Sequence, residues 1–600
     1  MAASSSCELT FVDEDDLPVA FLRIAHEDSE NEAPLNVNSS DSENSSDESG
    51  DESDDSEGNS DEFYSNLQWS SRIQAPPDVE FNEEVGMKVD MPENSTCLDF
   101  FELFFTHDVY QIILDETIRF EHQKRQLEDS VAGNLHNCSV EELKAWLGLT
   151  LAMGLVKKIN LKSYWSTSSV IKTPLFTETM SRDRYLTILR YLHFVNNDNA
   201  PEPDDVNRDK LWKIRPFLAS LLPRFTAVYA PSQNLSLDET LIKFKGRVQF
   251  RQFLPLKKNR FGLKGFVIAD SSNGYVLNTI IYTGKEGLVA SKDLASRVVL
   301  QLVEPYTNLG YRLYVDNWYT SVPLFLELER RGILACGTVR PNRKYLPKDI
   351  VDAKEQQVKN LARGESLFKQ TGNLVCVTWK DKKNVHLLST LPEGTDVGQV
   401  ERKVKSQGQW ERKHFPQPKL IQLYNAHMGG VDLGDQRMAT CSRLMKGNIW
   451  YYKIFFHMFE VAVLNAHILY QNAGHQSITL GQFKEKLVQQ LIGGQCFRQD
   501  NMELARSGIW QDIRFNHTQF HYPVEMETRR DCKVHIQRVG TSYQCGICHV
   551  NMCPDPCFAR YHTLRNYLFD DPLRDGPKRL KDGNGRPRAG PGRPRQRRSR

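Results

Sequence analysis

Residues 233–340 alternate between strand and helix patterns, and this order constrains the fold more than any other feature of the sequence. "QNLSLDETLIKF" alternates polar and apolar residues, and "GFVIADSSNGYVLNTIIYTG" contains two apolar runs joined at Ser-Asn-Gly, which is typical of a β-hairpin. A helix pattern, the strand "YRLYVD", the helix "SVPLFLELERRG" and the strand "ILACGTVR" follow. This order predicts an α/β fold.

Acidic residues occupy particular places in this order. Asp238 lies in the first predicted strand, and Asp316 ends the fourth. The order matches an RNase H-like arrangement, in which the first acid lies on the first strand and the second at the end of the fourth. Asp432 and Asp435 follow two glycines, and their spacing of three predicts one shared helix face. Asp is also a common turn residue, so no single Asp indicates a functional site. The inference rests on the positions of the acids in the order of strands and helices.

These carboxylates are the oxygen ligands that Mg²⁺ prefers. Two Mg²⁺ ions about 4 Å apart can activate an attacking oxygen and stabilise a leaving one in phosphoryl transfer. We therefore predict that Asp238, Asp316 and Asp432 hold two catalytic Mg²⁺ ions, with Asp435 as a further catalytic acid.

The charge of the chain is divided unevenly, although its net value is zero. Residues 1–62 hold 20 acidic residues and one basic residue, so residues 63–600 carry 75 basic and 56 acidic residues, a net charge of +19. A basic body favours a polyanionic partner, which the acidic segment can screen. Residues 1–93 are predicted to form a disordered acidic tail, because their Ser- and acid-rich run lacks core-forming residues.

A cysteine-rich segment lies near the end of the chain. Five of the twelve cysteines fall within 532–557. The sequence has no signal peptide and no apolar run long enough to span a membrane. It is therefore expected to be an intracellular chain without membrane contact, in which clustered cysteines favour metal over disulfides. The predicted ligands of two structural Zn²⁺ ions are Cys532, His535, Cys545, Cys548, Cys553, Cys557 and His562. The eighth ligand is open, with His549 or water as candidates.

Several ordered blocks resemble the signature motifs of piggyBac-family transposases, above all the vertebrate piggyBac transposable element-derived proteins. The blocks are "SLDETLIKFKGRVQFRQFLPLKKNRFGLKGFVIAD", "YVDNWYTSVPLF", "CGTVRPNRKYLP" and "YNAHMGGVDLGDQ". The resemblance runs from about residue 101 to about residue 567. It implies an RNase H-like fold whose catalytic triad is Asp238, Asp316 and Asp432. It also implies cut-and-paste transposition of double-stranded DNA at TTAA targets, and a zinc-binding domain that recognises terminal repeats. His535 departs from the family pattern, which has Cys there.

The resemblance and the composition together predict a series of domains. An α/β RNase H-like core with an insertion domain is preceded by a helical dimerisation and DNA-binding domain and followed by a small zinc-binding domain. The predicted ranges are tail 1–93, helical domain 94–230, core 231–340, insertion domain 341–420, last core helix and further helices 421–500, linker 501–528, cysteine-rich domain 529–568 and basic tail 569–600.

Two basic regions are candidate DNA contacts. One follows the first strand and contains Arg247, Arg251, Lys257, Lys258 and Arg260; a solvated face is the alternative. The other is the basic tail, in which "GRPR" occurs twice, contributing Arg586, Arg588, Arg593 and Arg595. The repeat resembles the AT-hook core that enters the minor groove; a nuclear-localisation signal or plain basic tail is the alternative, and both predict a nuclear protein. For Trp318 and Trp450, core packing is favoured over base stacking.

The sequence therefore predicts a piggyBac-like transposase that acts as a homodimer on DNA. A domesticated, non-transposing nuclear DNA-binding or chromatin protein is the alternative. A structure-selective nuclease with the same metals is a third hypothesis.

Overall fold

The computed structural model describes residues 58–568 except 129–134, 136, 203–204, 206–207, 255–259, 285–293, 407–408, 443–446, 498–519, 537 and 564–566. The chain divides into two compact units, Met1–Gln495 and Cys496–Arg600. The acidic segment before residue 58 and the predicted basic tail after residue 568 lie outside the described residues, so their predicted disorder stays a prediction.

A mixed β-sheet lies at the centre of the first unit. In chain order the strands of the two units are β1 (Gly86–Met87), β2 (Tyr229–Ala230), β3 (Asn234–Lys243), β4 (Gln252–Phe253), β5 (Phe261–Asp270), β6 (Val276–Ile281), β7 (Arg312–Val315), β8 (Leu334–Thr338), β9 (Ser366–Thr371), β10 (Leu374–Lys380), β11 (Asn384–Ser389), β12 (Val397–Ser406), β13 (Gln409–Pro418), β14 (Pro523–Asp531) and β15 (Gly540–Cys545).

The strand order places the predicted acids near the middle of this sheet. The hairpin β5–β6 pairs with β3 in antiparallel fashion through β5, and β7 and β8 follow in parallel on the other side of β3. The first predicted acid lies on β3 and the second directly follows β7. Parallel strands need crossover connections, and the helix between β7 and β8, which begins after Ser321, supplies one.

Residues 341–420 do not all form a separate insertion. Strands β9, β10 and β11 continue the central sheet, because β11 pairs with β8 in antiparallel fashion. Only the hairpin β12–β13 forms a sheet of its own. The charged composition of this region suggested a separate domain, whereas the buried β10 (burial throughout except its last residue) fits the interior of a sheet.

An N-terminal strap, residues 66–93, runs over the first unit, although the sequence predicted a disordered tail as far as residue 93. Ser70 exchanges two backbone hydrogen bonds of 2.9 Å with Gln370 at the edge strand β9. Asp78 forms an ion pair with Arg312 at 3.2 Å, and β1 pairs with β2. The prediction of disorder is wrong for the strap, which is held by backbone pairing and by Phe81, whose ring centroid lies 4.9 Å from that of Tyr311.

Helices surround the central sheet in the first unit, and one helix lies in the described part of the second unit. They are α1 (Gly58–Ser65), α2 (Cys97–Glu102), α3 (His107–Glu128), α4 (Val140–Leu155), α5 (Pro174–Thr179), α6 (Arg182–Tyr191), α7 (Arg215–Ala227), α8 (Leu294–Val303), α9 (Val322–Arg330), α10 (Lys348–Val351), α11 (Gln356–Lys359), α12 (Lys419–His427), α13 (Gly430–Thr440), α14 (Trp450–Asn472), α15 (Leu480–Ile492) and α16 (Cys557–Thr563). Short 3-10 turns occur at Leu161–Trp165, Asn197–Asn199, Glu304–Tyr306 and Pro392–Thr395.

The long helix α14 joins the helical region to the sheet. Phe455 packs against Phe217 with ring centroids 5.1 Å apart, and Phe459 packs against Phe101 and Phe105 at 5.7 and 5.5 Å. The N-terminal helices and the C-terminal helices therefore share one aromatic core. Among the described residues, no helix is long and apolar enough to cross a membrane.

Asn465 fastens α14 to the edge of the sheet. Its side chain is fully buried. The amide oxygen accepts a hydrogen bond from the Val276 N–H at 3.0 Å, and the amide nitrogen donates to the Val276 carbonyl at 2.8 Å. A single side chain thus satisfies both backbone groups of a residue in β6, which removes two unpaired polar groups from the sheet edge.

We expect Asn465→Ala to destabilise the protein by about 2–4 kcal/mol, because both Val276 backbone groups lose their partners in a buried place. Urea unfolding followed by circular dichroism measures this. The matched control is Asn66→Ala, which truncates an exposed asparagine and should change stability by less than about 0.5 kcal/mol. Equal stability of the two variants would contradict the role given to Asn465.

Candidate active site and metal clusters

Asp238 and Asp316 lie side by side because β3 and β7 are parallel neighbours. The last registered pair of these strands is Leu237 with Val315, so the two acids are the next residues on adjacent strands, which run about 5 Å apart. Each carboxylate is held locally. Asp316 accepts a hydrogen bond from the Trp318 N–H at 2.8 Å, and Asp238 accepts one from the Glu239 N–H at 2.8 Å. Asp316 is therefore both a turn former and a member of a carboxylate pair.

Burial and mutual repulsion make this carboxylate pair electrostatically unfavourable. Burial, with the charges of Glu239 and Asp316, raises the pKa of Asp238 to about 7. Burial also raises the pKa of Asp316, and the Glu239 charge adds to this effect. Carboxylates at neutral pH that repel one another in a partly desolvated place are stabilised by a cation.

Helix α13 brings the remaining two acids onto the same face of β3. Ser236, Asp238 and Thr240 alternate along the strand and share one face. A Cβ added to Gly430 would lie 2.3 Å from the Ser236 hydroxyl oxygen, so α13 approaches the strand directly at this glycine. One and a half turns later, the Thr240 hydroxyl donates to Asp435 at 2.9 Å. The helix therefore passes Asp238 between these two contacts.

Asp432 lies in the first turn of α13, between the two contacts, and its side chain is exposed. Asp435 is half-buried and held against β3 by Thr240, so the shared face of the two acids stays a prediction. Among the described residues, however, no three carboxylates have ligand oxygens within 4.8 Å of one another. The acids share one neighbourhood but do not form a closed ligand set.

The carboxylate donor set fits Mg²⁺, which binds oxygen ligands and keeps several waters or substrate oxygens. The observation that supports a cation here is the adjacent position of Asp238 and Asp316, two half-buried carboxylates on neighbouring parallel strands.

Glu239 and Lys264 belong to this neighbourhood and were not predicted. The Lys264 ammonium donates to Glu239 at 2.7 Å and lies 4.5 Å from the centroid of the Trp318 ring. Trp318 stacks on Phe266 with centroids 5.6 Å apart. Packing, which was the favoured interpretation for Trp318, agrees with this contact. Glu239 directly follows Asp238 in the sequence, but strand alternation assigns it to the opposite face, which gave no reason to select it.

A loop after β8 supports the turn that carries Asp316. Arg340 donates to the side-chain oxygen of Asn317 at 3.0 Å, and Arg343 donates to the carbonyl of Trp318 at 2.7 Å. These arginines come from the block "CGTVRPNRKYLP", to which the sequence assigned no role. They fix the turn beside the second acid.

The basic candidates after β3 differ in their surroundings. Arg247 and Arg260 are exposed. Arg251 is exposed as well, but it donates to the carbonyls of Lys245 and Gly246 at 3.2 and 3.0 Å, which ties its own loop together. Trp450 packs edge-on against Phe250 at 5.3 Å, as favoured. The remaining candidates lie outside the described residues: Lys257, Lys258, Arg586, Arg588, Arg593 and Arg595.

The second unit gathers its cysteines and histidines into two groups of four. One group consists of Cys532, His535, Cys553 and Cys557, and all four are buried. The other consists of His521, Cys545, Cys548 and His562. Within each group the ligand atoms lie within 4.8 Å of one another. The groups alternate along the chain, which is the cross-braced arrangement expected from the sequence.

The distances within the groups fit tetrahedral zinc. Bond lengths of about 2.3 Å to sulfur and about 2.0 Å to nitrogen place ligand atoms about 3.6 Å apart at a tetrahedral angle. The His521 Nδ1 atom lies 3.5 and 3.3 Å from the sulfurs of Cys545 and Cys548. The His535 Nε2 atom lies 3.8 and 3.1 Å from those of Cys553 and Cys557. His535 thus occupies a ligand position in place of the family's cysteine.

His521 completes the second group as the eighth candidate ligand, whereas the sequence suggested His549 or water. His521 lies in the predicted linker 501–528, upstream of the predicted cysteine-rich domain. The signal was available: paired ligands require a partner for His562, and an upstream search for a lone histidine would have found "FHYPVE". His549 has the left-handed backbone angle φ of 53° at the turn after Cys548, a conformation that histidine tolerates better than most residues.

The surroundings of the clusters prepare the ligands for a metal. The His562 Nδ1–H donates to the Phe558 carbonyl at 2.7 Å, which leaves Nε2 for the cluster. Burial, with the nearby Cys532 and Cys553, raises the pKa of the Cys557 thiol, so the buried thiolate needs a cation to offset its charge. The small core of this unit contains five cysteines among its nine buried residues, so its folding depends on satisfying those sulfurs.

Comparison with known proteins places this geometry among transposases. A family model described as "Transposase IS4" matches residues 96–467. Human PiggyBac transposable element-derived protein 5 is 26% identical over 439 residues, which cover 71% of this chain and 81% of that protein. Human PiggyBac transposable element-derived protein 3 is 28% identical over 418 residues, covering 68% and 67%. The cryo-EM structure of a piggyBac transposase synaptic complex with hairpin DNA matches with a TM-score of 0.60 at 24% identity, over 71% of this chain and 87% of that one; this likeness concerns the fold.

We expect His521→Ala to lower the zinc content of the full-length protein from about two ions per chain to about one, because one four-ligand cluster loses a ligand. Plasma mass spectrometry of dialysed protein measures the content. His549→Ala is the matched control, since it removes a histidine of the same segment outside both clusters. Loss of zinc in the His549 variant with retention in the His521 variant would overturn the ligand assignment.

We expect Asp238→Asn to stabilise the protein in Mg²⁺-free buffer at pH 8. The folded-state pKa of Asp238 lies above its unfolded value, so its ionised form destabilises the fold above pH 7. The full shift corresponds to about 4 kcal/mol, and partial solvent access reduces the expected gain to about 1–2 kcal/mol. The difference from wild type shrinks as the pH falls from 8 to 5, because the folded carboxyl becomes protonated.

Added Mg²⁺ should raise the thermal midpoint of the wild type and leave that of Asp238→Asn unchanged. No chelator is used, so that zinc stays bound. Asp183→Asn, which neutralises a 79% exposed acid on α6, serves as the control and should behave as wild type. An equal response of all three proteins to Mg²⁺ would contradict a cation site at Asp238.

Proposed function

This chain belongs to the piggyBac family of transposases, and from that membership and the geometry of its acids we propose that it cleaves and transfers DNA strands. The proposed reaction is cut-and-paste transposition at TTAA sites with Mg²⁺ as the cofactor. The observation that carries the proposal is the parallel pairing of β3 with β7, which sets Asp238 beside Asp316, under a helix that carries Asp432 and Asp435.

Each acid has its own part in this proposal. Asp238 and Asp316 would hold the cation from rigid strand positions, and Asp432 would approach from α13. Asp435, held by Thr240, positions the helix and so the third ligand. Bound Mg²⁺ supplies Lewis-acid activation of the attacking oxygen and charge stabilisation at the leaving oxygen. The strand order β6-β5-β3-β7-β8 supports assigning the core to the RNase H-like class.

The cysteine-rich unit is proposed to bind two structural Zn²⁺ ions through its two clusters. A zinc-stabilised unit at this place would help to recognise the ends of a DNA element, as the family resemblance implies. The net charge of +19 over residues 63–600 supports a polyanionic partner. We further propose that the protein acts as a homodimer on double-stranded DNA in the nucleus.

A domesticated, non-transposing DNA-binding protein is the second candidate. The observation that favours it is the open spacing of the acids, since no three of the described carboxylates lie within 4.8 Å of one another. A DNA-binding body that has lost strand cleavage needs no closed ligand set.

An excision assay in cells separates the two candidates. A donor plasmid carries the flanking sequences of this gene around a reporter, and seamless TTAA repair is scored by sequencing. We expect wild type to excise the reporter and Asp316→Asn to reduce excision to the level without protein, because a neutral amide binds Mg²⁺ weakly. The matched control Asp183→Asn, on an exposed part of α6, should excise as wild type does.

Zinc content and DNA affinity of the same variants complete the test. Absence of excision by the wild type, with DNA affinity retained and equal in all variants, would sink the transposase proposal and leave the DNA-binding protein.

A further inference from the structure

The hairpin β12–β13, here called the basic ribbon, has two chemically distinct faces. Its register pairs Arg402 with Lys413 and Lys403 with Arg412. Directly opposite residues share a face and successive residues alternate. The ribbon therefore has an inner face that includes Val400, Arg402 and Phe415, and an outer face that includes Lys403, Lys405, Trp410, Arg412 and His414.

The inner face anchors the ribbon to the central sheet. Arg402 donates to Asp381 at 3.1 Å, and Arg363, which also pairs with Asp381 at 2.6 Å, lies 4.7 Å from the centroid of the Phe415 ring. Val400 packs against the core around Trp379. These contacts fix the direction of the ribbon, so its outer face is presented in one orientation.

The outer face is exposed and basic. All five of its residues named above are exposed, and Trp410, near the tip, is 68% exposed. Lys403 and Lys405 lie two residues apart on this face, and Arg412 is kept there by an exposed ion pair with Glu401 at 2.7 Å. Such an exposed pair contributes little to stability. A large exposed aromatic ring among cations thus has no role in holding the fold together.

We propose that the outer face of the basic ribbon binds double-stranded DNA, with the ribbon lying in the major groove. A two-stranded β-ribbon fits the width of that groove. The part beyond the Arg402–Lys413 pair, four residues per strand, extends about 13 Å, which corresponds to about four base pairs at about 3.4 Å each. Lys403, Lys405 and Arg412 contact phosphates, and Trp410 contacts a base or sugar. This proposal deepens the proposed function by naming a surface outside the acids and outside the zinc unit.

DNA affinity of the full-length protein tests the ribbon without requiring catalysis. Fluorescence anisotropy with a labelled 30-base-pair duplex is measured at several salt concentrations. We expect Lys403→Gln/Lys405→Gln to weaken binding at low salt and to lower the slope of log affinity against log salt by about 2, one unit for each lost phosphate contact. The matched control is Lys382→Gln/Lys383→Gln, two exposed lysines at the β10–β11 turn, which should change neither quantity.

Trp410 is tested by two substitutions. Trp410→Ala should weaken binding about tenfold with an unchanged salt slope, because stacking on a base or sugar is not ionic. Trp410→Phe keeps an aromatic ring and should recover most of that loss. Thermal midpoints equal to wild type in all variants show that the exposed changes leave the fold intact.

The outcomes separate this proposal from the one on which it rests. Equal effects of the two lysine pairs, or no effect of the ribbon pair, overturn the ribbon as a DNA surface while DNA binding by the chain survives. In that case an acidic protein partner for the ribbon is the remaining explanation of its charge. Absence of duplex binding by the wild type at low salt overturns both proposals. If the protein does not excise the reporter but the ribbon substitutions still weaken DNA binding as expected, only the catalytic proposal is overturned.

Discussion

Parallel pairing of β3 with β7 holds Asp238 and Asp316 side by side, although their carboxylates repel each other. The remaining elements of the site are arranged around this pair. Backbone hydrogen bonds and apolar burial stabilise the pairing of the two strands. The residues before the acids are fully buried: Leu235, Leu237, Leu313 and Val315. Because the strands themselves are stable, the acids need no favourable interaction of their own. Charge is thus tolerated beside the buried parts of these strands, and a bound cation would balance it.

Local patterns were sufficient to predict the core strands and the helices after them, and the resemblance of several motifs predicted the family, which the comparisons confirm. Asp238 followed from its place in the alternating first strand and Asp316 from the apolar run that it ends, and both patterns can be recognised without tertiary information. The strap, the extension of the sheet by β9–β11 and His521 were not predicted. Each depends on pairing between segments far apart in the chain, for example Ser70 with Gln370, and such pairing leaves no periodic trace in either segment.

Helix α14 and the second unit illustrate two different ways of stabilising a core. Around α14 the core is large and aromatic. One buried side-chain amide, that of Asn465, forms hydrogen bonds with both backbone groups of Val276 at the sheet edge. In the second unit most of the buried core residues carry sulfur, so apolar burial is small. A bound metal would supply the cross-links that a larger core would make unnecessary. His535 fits this scheme because a ring nitrogen meets the same tetrahedral requirement as a thiolate.

The strap has a practical consequence for anyone who shortens this chain. From the sequence, residues 66–93 belong to the predicted acidic tail. A truncation at residue 94, where the predicted helical domain begins, would remove them together with that tail. Such a cut would uncover the outer edge of β9 at Gln370 and strip the partner from β2. Open strand edges recruit strands from other molecules. A protein shortened in this way would therefore tend to aggregate, and the insolubility would be a property of the cut and not of the folded core.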